Sequence, residues 1–183
     1  MPCLLHKGFV ALDGASLTIT GTISEAVAGM SPYFRPGDGF SDVITLAGTC
    51  SWTGPTRIFS NGGSLAISAN DKLPTTVDLI VGASAGQTGS PTFDLAGFNQ
   101  SVAGLAGSGG SFPAIIKNSG ATQSTLSLKP SVASTYSGRV QDDVKLVIGG
   151  TATQTLAGLN SNTGDTTINS GANLIIGSAG ELR

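Results

Sequence analysis

The sequence predicts an all-β fold, a right-handed parallel β-helix (β-solenoid) of roughly seven to nine rungs. Three observations predict it. The first is a phrase written twice: Thr45–Ile58 reads TLAGTCSWTGPTRI and Thr155–Ile168 reads TLAGLNSNTGDTTI. Extended to Ser60 and Ser170, ten of the sixteen aligned positions are identical, at an offset of 110 residues. A repeated structural unit explains this economically. The second observation is a series of short runs in which apolar and small polar residues alternate, which gives a strand two faces. The third is composition. The chain has 27 Gly and 8 Pro, and only 11% of its residues are charged. An ordinary domain carries about a quarter charged residues. Hydrophobic residues still make up 39%, so this is not a disordered chain.

The strand-like runs, in order, are Ser16–Thr22, Asp42–Leu46, Ser64–Ile67, Val77–Val81, Thr92–Leu95, Thr125–Leu128, Val144–Ile148 and Ala172–Ile176. Gly-rich punctuation separates them at Asn61-Gly62-Gly63, Gly107–Gly110, Gly149-Gly150 and Ser170-Gly171. Ala26–Met30 and Asn70–Leu73 are read as short helical turns at most. Three triplets echo one another: Trp52-Thr53-Gly54, Tyr136-Ser137-Gly138 and Asn162-Thr163-Gly164. Each leads into a β-type run, so each reads as a corner where glycine turns the chain without steric cost. Leu46, Ile58, Leu65, Leu156, Ile168 and Leu174 are expected inside. The expected layout is one domain over 1–183. Residues 1–14 form an atypical lead-in or cap, 15–177 the rungs and 178–183 a tail. The competing architecture is an antiparallel β-sandwich, which also uses short strands and frequent turns.

The net charge of −2, and nine Lys and Arg placed singly, argue against a nucleic-acid surface. No apolar run approaches the roughly 18 residues of a membrane span. The start, MPCLLHKGFV, is too short for a signal peptide and is interrupted by Lys7. A soluble chain with no export signal of its own and no direct membrane insertion is expected.

The segment Thr155–Gly177 resembles the autotransporter-associated β-strand repeat. That repeat ends in Asn-Thr-Tyr-Thr-Gly-x-Thr-Thr-Ile/Val-Asn-x-Gly-Thr-Leu. Thr163, Gly164, Thr166, Thr167, Ile168, Asn169, Gly171 and Leu174 match it, with Asn162 where the aromatic residue usually sits. The copy at Trp52 keeps the aromatic but has Arg57 and Phe59 further on. Phe93–Gly107 and Ser134–Val140 resemble other parts of the family's array. The likeness covers most of residues 40–177. It implies a parallel β-helix from the passenger part of a secreted or surface-displayed bacterial protein, with structural or adhesive roles. It implies cell-surface glycans, other cells or matrix as partners, along with adjacent rungs of a longer passenger. The chain is accordingly expected to be part of a longer passenger or a small stand-alone unit. The motif residues Trp52, Thr53, Gly54, Tyr136, Ser137, Gly138, Asn162, Thr163, Gly164, Thr166, Ile168, Asn169 and Gly171 are expected to act structurally.

No catalytic, metal or cofactor site is expected. His6 is the single histidine and lies in the lead-in, away from any nucleophile–base arrangement. Cys3 and Cys50 are read as free thiols, with a disulfide not excluded. Asp142-Asp143, the one acidic pair, reads as a turn. Gly37–Asp42 is faintly similar to a calcium loop but lacks the alternating ligands and closing Glu, so it reads as a loop between rungs. Two alternatives remain open. A polysaccharide-active β-helix enzyme would need clustered carboxylates beside Lys or Arg, and Asp78, Asp94 and Lys117 are the candidates. An ice- or glycan-binding surface would need Thr rows on many rungs, and Thr18, Thr20, Thr22 and Thr151, Thr153, Thr155 alternate suitably.

Overall fold

The structure is a computed structural model that describes residues 8–11, 14–37, 41–82, 88–108 and 111–177. Among them there is no helix. Alternating residues and frequent glycines favour strands of only two to five residues, and every paired neighbour is parallel. Parallel strands cannot be joined by a tight hairpin. Here the chain instead turns a corner, runs along a second side and a third, and returns one rung higher.

The first side is an eight-stranded sheet. In order it holds β1 (Gly8–Val10), β4 (Tyr33–Arg35), β7 (Thr56–Ile58), β9 (Leu79–Val81), β12 (Leu105–Gly107), β15 (Ser134–Tyr136), β18 (Thr153–Leu156) and β20 (Asn173–Ile176). The second side holds β2 (Ser16–Ile19), β5 (Val43–Leu46), β8 (Ser64–Ile67), β10 (Thr92–Asp94), β13 (Ile115–Lys117) and β16 (Arg139–Val140). The third side begins with the pair β3 (Ile23–Ser24) and β6 (Cys50–Ser51). It continues as β11 (Gln100–Val102), β14 (Ser124–Leu128), β17 (Val144–Ile148) and β19 (Thr166–Ile168). The result is a β-solenoid of about seven turns, at the lower end of the expected count. Among the described residues the first strand, β1, falls inside the stretch 1–14 read as a lead-in.

Register aligns inward side chains into columns. On the first side the column runs Phe9, Phe34, Ile58, Val81, Gly107, Tyr136, Leu156, Ile176. Phe9 and Phe34 stack with ring centroids 5.2 Å apart. The large Tyr136 sits directly above Gly107, where a Cβ would come within 2.7 Å of its ring. A small residue below a large one keeps the rung spacing uniform. The second side stacks Leu17, Ile44, Leu65, Phe93, Ile116 and Val140. Each buried Leu, Ile or Phe in such a column contributes about 1.5–3 kcal/mol of apolar burial.

Four of the six residues expected in the core, Leu46, Ile58, Leu65 and Leu156, are completely buried. Two are not. Ile168 is 52% exposed and Leu174 is half-buried. Both face inward by register, Ile168 over Ile148 and Leu174 over Gln154, but they belong to the last described rung and no described rung covers them. The short helical turns expected at Ala26–Met30 and Asn70–Leu73 are non-helical turns. Met30 N–H donates to Val27 O at 3.3 Å, and Asp71 takes φ +50°.

Candidate functional site

The three motif triplets occupy three different corners. Trp52-Thr53-Gly54 turns the chain from the third side to the first, and Tyr136-Ser137-Gly138 from the first to the second. Asn162-Thr163-Gly164 turns it from the second to the third. In each, the leading side chain points inward and its tip bonds the corner. The Trp52 indole N–H donates to Thr56 Oγ1 at 3.0 Å. The Tyr136 hydroxyl donates to Ala114 O at 2.9 Å and Arg139 O at 3.1 Å. Asn162 Nδ2 donates to Val144 O at 3.0 Å and Gly164 O at 3.1 Å. A buried donor at a corner offsets the desolvation of the acceptor it reaches.

The middle residue ties adjacent rungs. Thr53 Oγ1 accepts from Gly29 N–H at 2.7 Å and donates to the Glu25 carboxylate, Ser137 N–H donates to Gly107 O, and Thr163 N–H donates to Asp142 O. The glycine permits close approach. A Cβ on Gly138 would lie 2.3 Å from Ala114 O, and one on Gly54 would lie 2.5 Å from Met30 O. Thr166 and Ile168 lie in inward register positions of β19, Asn169 N–H donates to Ile148 O, and Gly171 takes φ +80°. All thirteen motif residues thus lie in strands, corners or turns.

Further polar side chains, not singled out by the sequence reading, complete the ladders. Asn118 Oδ1 accepts from Gly97 and Gly120 N–H, and its Nδ2 donates to Thr122 O and Asp143 O. Asn99 N–H donates to Asn70 Oδ1 and Thr125 N–H donates to Asn99 Oδ1, so one asparagine stands on the next. Gln100 holds Leu73 by both its N–H and its C=O. Gln154 does the same for Leu105. The available signal was parity. Gln154 shares its inward phase with Leu156, and Gln100 shares its phase with Val102.

The carboxylate candidates separate. Asp94 and Lys117 do meet, at 3.4 Å on neighbouring strands of the second side. Asp94 Oδ1 already accepts from Ala96 N–H at 2.9 Å and Ser119 N–H at 3.0 Å, so this nearly buried carboxylate is held by its own corner and the one on the next rung. Asp78 precedes β9 on the first side and does not join them. Asp142 and Asp143 form the expected exposed bend, with Asp142 at φ +64°. Asp42 is fully buried and accepts from Gly14 N–H at 2.7 Å, while 38–40 of its loop lie outside the described residues. His6 and Cys3 lie outside them too. Among the described residues no three His, Cys, Asp or Glu are placed to hold a metal.

The Thr rows are short. Thr18 stands beside Thr45 and is followed by Ala66; Thr135 stands beside Thr155 and is followed by Ile175. Cys50 is a half-buried free thiol, and burial pushes its pKa up to about 11.

One concavity lies at the N-terminal end of the coil. Phe9, Ile19, Ile23, Met30, Pro32 and Trp52 line a largely apolar hollow of about 350 Å³. Glu25 stands at its rim. The Thr53 backbone N–H, 2.9 Å from Glu25 Oε2, holds that carboxyl below its usual range. No family model, no curated protein and no solved structure matches the chain.

Proposed function

We propose that the chain is a non-catalytic structural and adhesive β-helix segment of a bacterial secreted or surface-displayed, autotransporter-like passenger. The observation that carries this reading is where the motif residues go. Trp52, Tyr136 and Asn162 spend their polar tips on corners, and the Asp94–Lys117 pair is tied into its own corner by backbone donors. What remains for a partner is the outer surface. It carries Thr, Ser and scattered single charges on a stiff frame that displays them at fixed spacing. Such a surface suits repeated weak contacts with glycans, neighbouring cells or matrix.

The test is display. The chain is placed between an export signal and an outer-membrane barrel in a bacterial host. It should reach the surface as a protease-resistant rod, raise attachment to glycan-coated or cell-coated surfaces, and release nothing from anionic polysaccharides. New reducing ends or unsaturated products, abolished by Asp94→Asn, would overturn the reading in favour of a polysaccharide-active enzyme.

A further inference from the structure

The first-side sheet has two free edges among the described residues, β1 at one end of the coil and β20 at the other. All its strands run the same way, so the edge that β20 offers is complementary to the edge that β1 offers. The inward column that starts at Phe9 ends at Ile176 without a break in register. Among the described residues both ends of the coil present apolar side chains. The C-terminal end presents Ile168, Leu174 and Ile176, and the N-terminal end presents Phe9, Leu17 and Ile19 around the hollow.

We propose that copies of this chain associate head to tail, the C-terminal end of one coil seating on the N-terminal end of the next. A second copy is the occupant because this contact continues the rung-to-rung interface of the fold itself. It adds β1 of one copy to β20 of another in parallel, extends the same columns, and offers the exposed Ile168 and the half-buried Ile176 to the hollow beside Phe9. A tail-to-tail dimer would leave that hollow empty and press two unfilled ends together. A heterologous contact between opposite ends does not close on itself, so it builds short rods. The inference does not depend on the surface role proposed above.

The experiment uses the full 183-residue chain in size-exclusion chromatography with light scattering over a concentration series. The wild type should rise from the mass of one chain, 18.2 kDa, to multiples of it. Leu17→Lys blocks the N-terminal end and Ile168→Lys the C-terminal end; these side chains are already 36% and 52% exposed, so a charge is compatible with folding. Each variant alone should stay monomeric, and an equimolar mixture should stop at a dimer, since each supplies the end the other lacks. A wild type that is monomeric throughout overturns the proposal, as does a variant that self-associates or a mixture that stays monomeric. Should a variant lose its β spectrum, hydrogen exchange of the wild type decides. The β1 and β20 amides should gain protection as concentration rises, and constant exchange there overturns the proposal.

Discussion

Replacing Gln154 with leucine should destabilise the coil although it swaps a polar residue in a buried slot for an apolar one. Gln154 is fully buried and reaches two rungs down. Its Oε1 accepts from Leu105 N–H at 3.1 Å, and its Nε2 donates to Leu105 O at 2.9 Å, to Thr155 O at 3.1 Å and to Ser134 O at 3.3 Å. The β12–β15 ladder is formed only at Gly107 and Tyr136, so the Gln154 amide stands in for the missing strand neighbour of Leu105. In Gln154→Leu, Leu105 O keeps the Ser134 hydroxyl at 2.8 Å, but the Leu105 N–H loses the partner named here. One orphaned buried donor costs about 1–3 kcal/mol. The lost bonds to Thr155 O and Ser134 O add about 1 kcal/mol, and the added apolar contact returns about 1 kcal/mol. The net loss is about 1–3 kcal/mol, which lowers the melting temperature by roughly 2–12 °C for a chain of this size. Thermal melts by circular dichroism give the total, and hydrogen exchange at Leu105 gives the location. Thr155→Ala, beside it but facing outward, is the control and should cost less than about 0.5 kcal/mol. A Gln154→Leu protein that melts within about 2 °C of wild type, with Leu105 still protected, would refute the reasoning.

Three further outcomes follow from single residues. Gly158→Ala places a Cβ 1.8 Å from Gly138 O, so the rungs must part and the loss should be about 3 kcal/mol or more; Gly171→Ala, with open space around it, should cost about 1–2 kcal/mol from its positive φ alone. Equal urea midpoints for the two would contradict the corner geometry. In a Cys3→Ser background, native Cys50 should resist alkylation at mildly alkaline pH, because burial holds its pKa at about 11 against an ordinary 9.0. The stability this thiol contributes is present below the ordinary value and is lost as pH rises toward 11. Equal labelling rates with and without urea would count against it. Burial also pushes the Tyr136 hydroxyl well above its ordinary value of 10.0, so the unfolded chain ionises first and stability falls as pH rises past that value. Tyr136→Phe should lose about 1–2 kcal/mol at neutral pH and show a weaker alkaline fall, read from urea midpoints across pH; an unchanged alkaline fall would assign it elsewhere.

Much of the coil is legible in the sequence, and the gaps have physical causes. Ser64–Ile67 and Val144–Ile148 match β8 and β17 residue for residue, since both are long enough for alternation to show. The two-residue strands β3, β6 and β16 are too short to carry a period and exist through pairing with the rung beside them. Asp71 joins the ladder by accepting from Ser101 N–H, a contact across 30 residues that no local pattern encodes. Ile168 shows the opposite limit. Its inward phase is right, yet burial depends on what lies above it as well as on which way it points. The Asp94–Lys117 pair was legible as a candidate, but its occupation by Ala96 and Ser119 was not, because those bonds come from the backbone of two successive corners.

The twice-written phrase does not repeat a rung. In the first copy Leu46 ends a second-side strand, Trp52 closes the third side and Thr56–Ile58 lies on the first. In the second copy Leu156 ends a first-side strand, Asn162 closes the second side and Thr166–Ile168 lies on the third. The same words are therefore written one side out of step. Successive members of the first-side column lie 20 to 29 residues apart, so turn length varies too much for an offset of 110 to count whole rungs. The phrase can move because its physics is local. It supplies an inward leucine to end one strand, an inward polar tip to bond the corner, a glycine where the rung below comes close, and an inward Thr and Ile to start the next strand. The corners that carry the phrase use those four things, whichever sides they join. The inward tip is the adjustable part. Trp52 is large enough to reach Thr56, while the shorter Asn162 bonds Val144 and Gly164 and leaves its oxygen and the Thr166 hydroxyl unpaired. That difference falls in the last described rung of the coil.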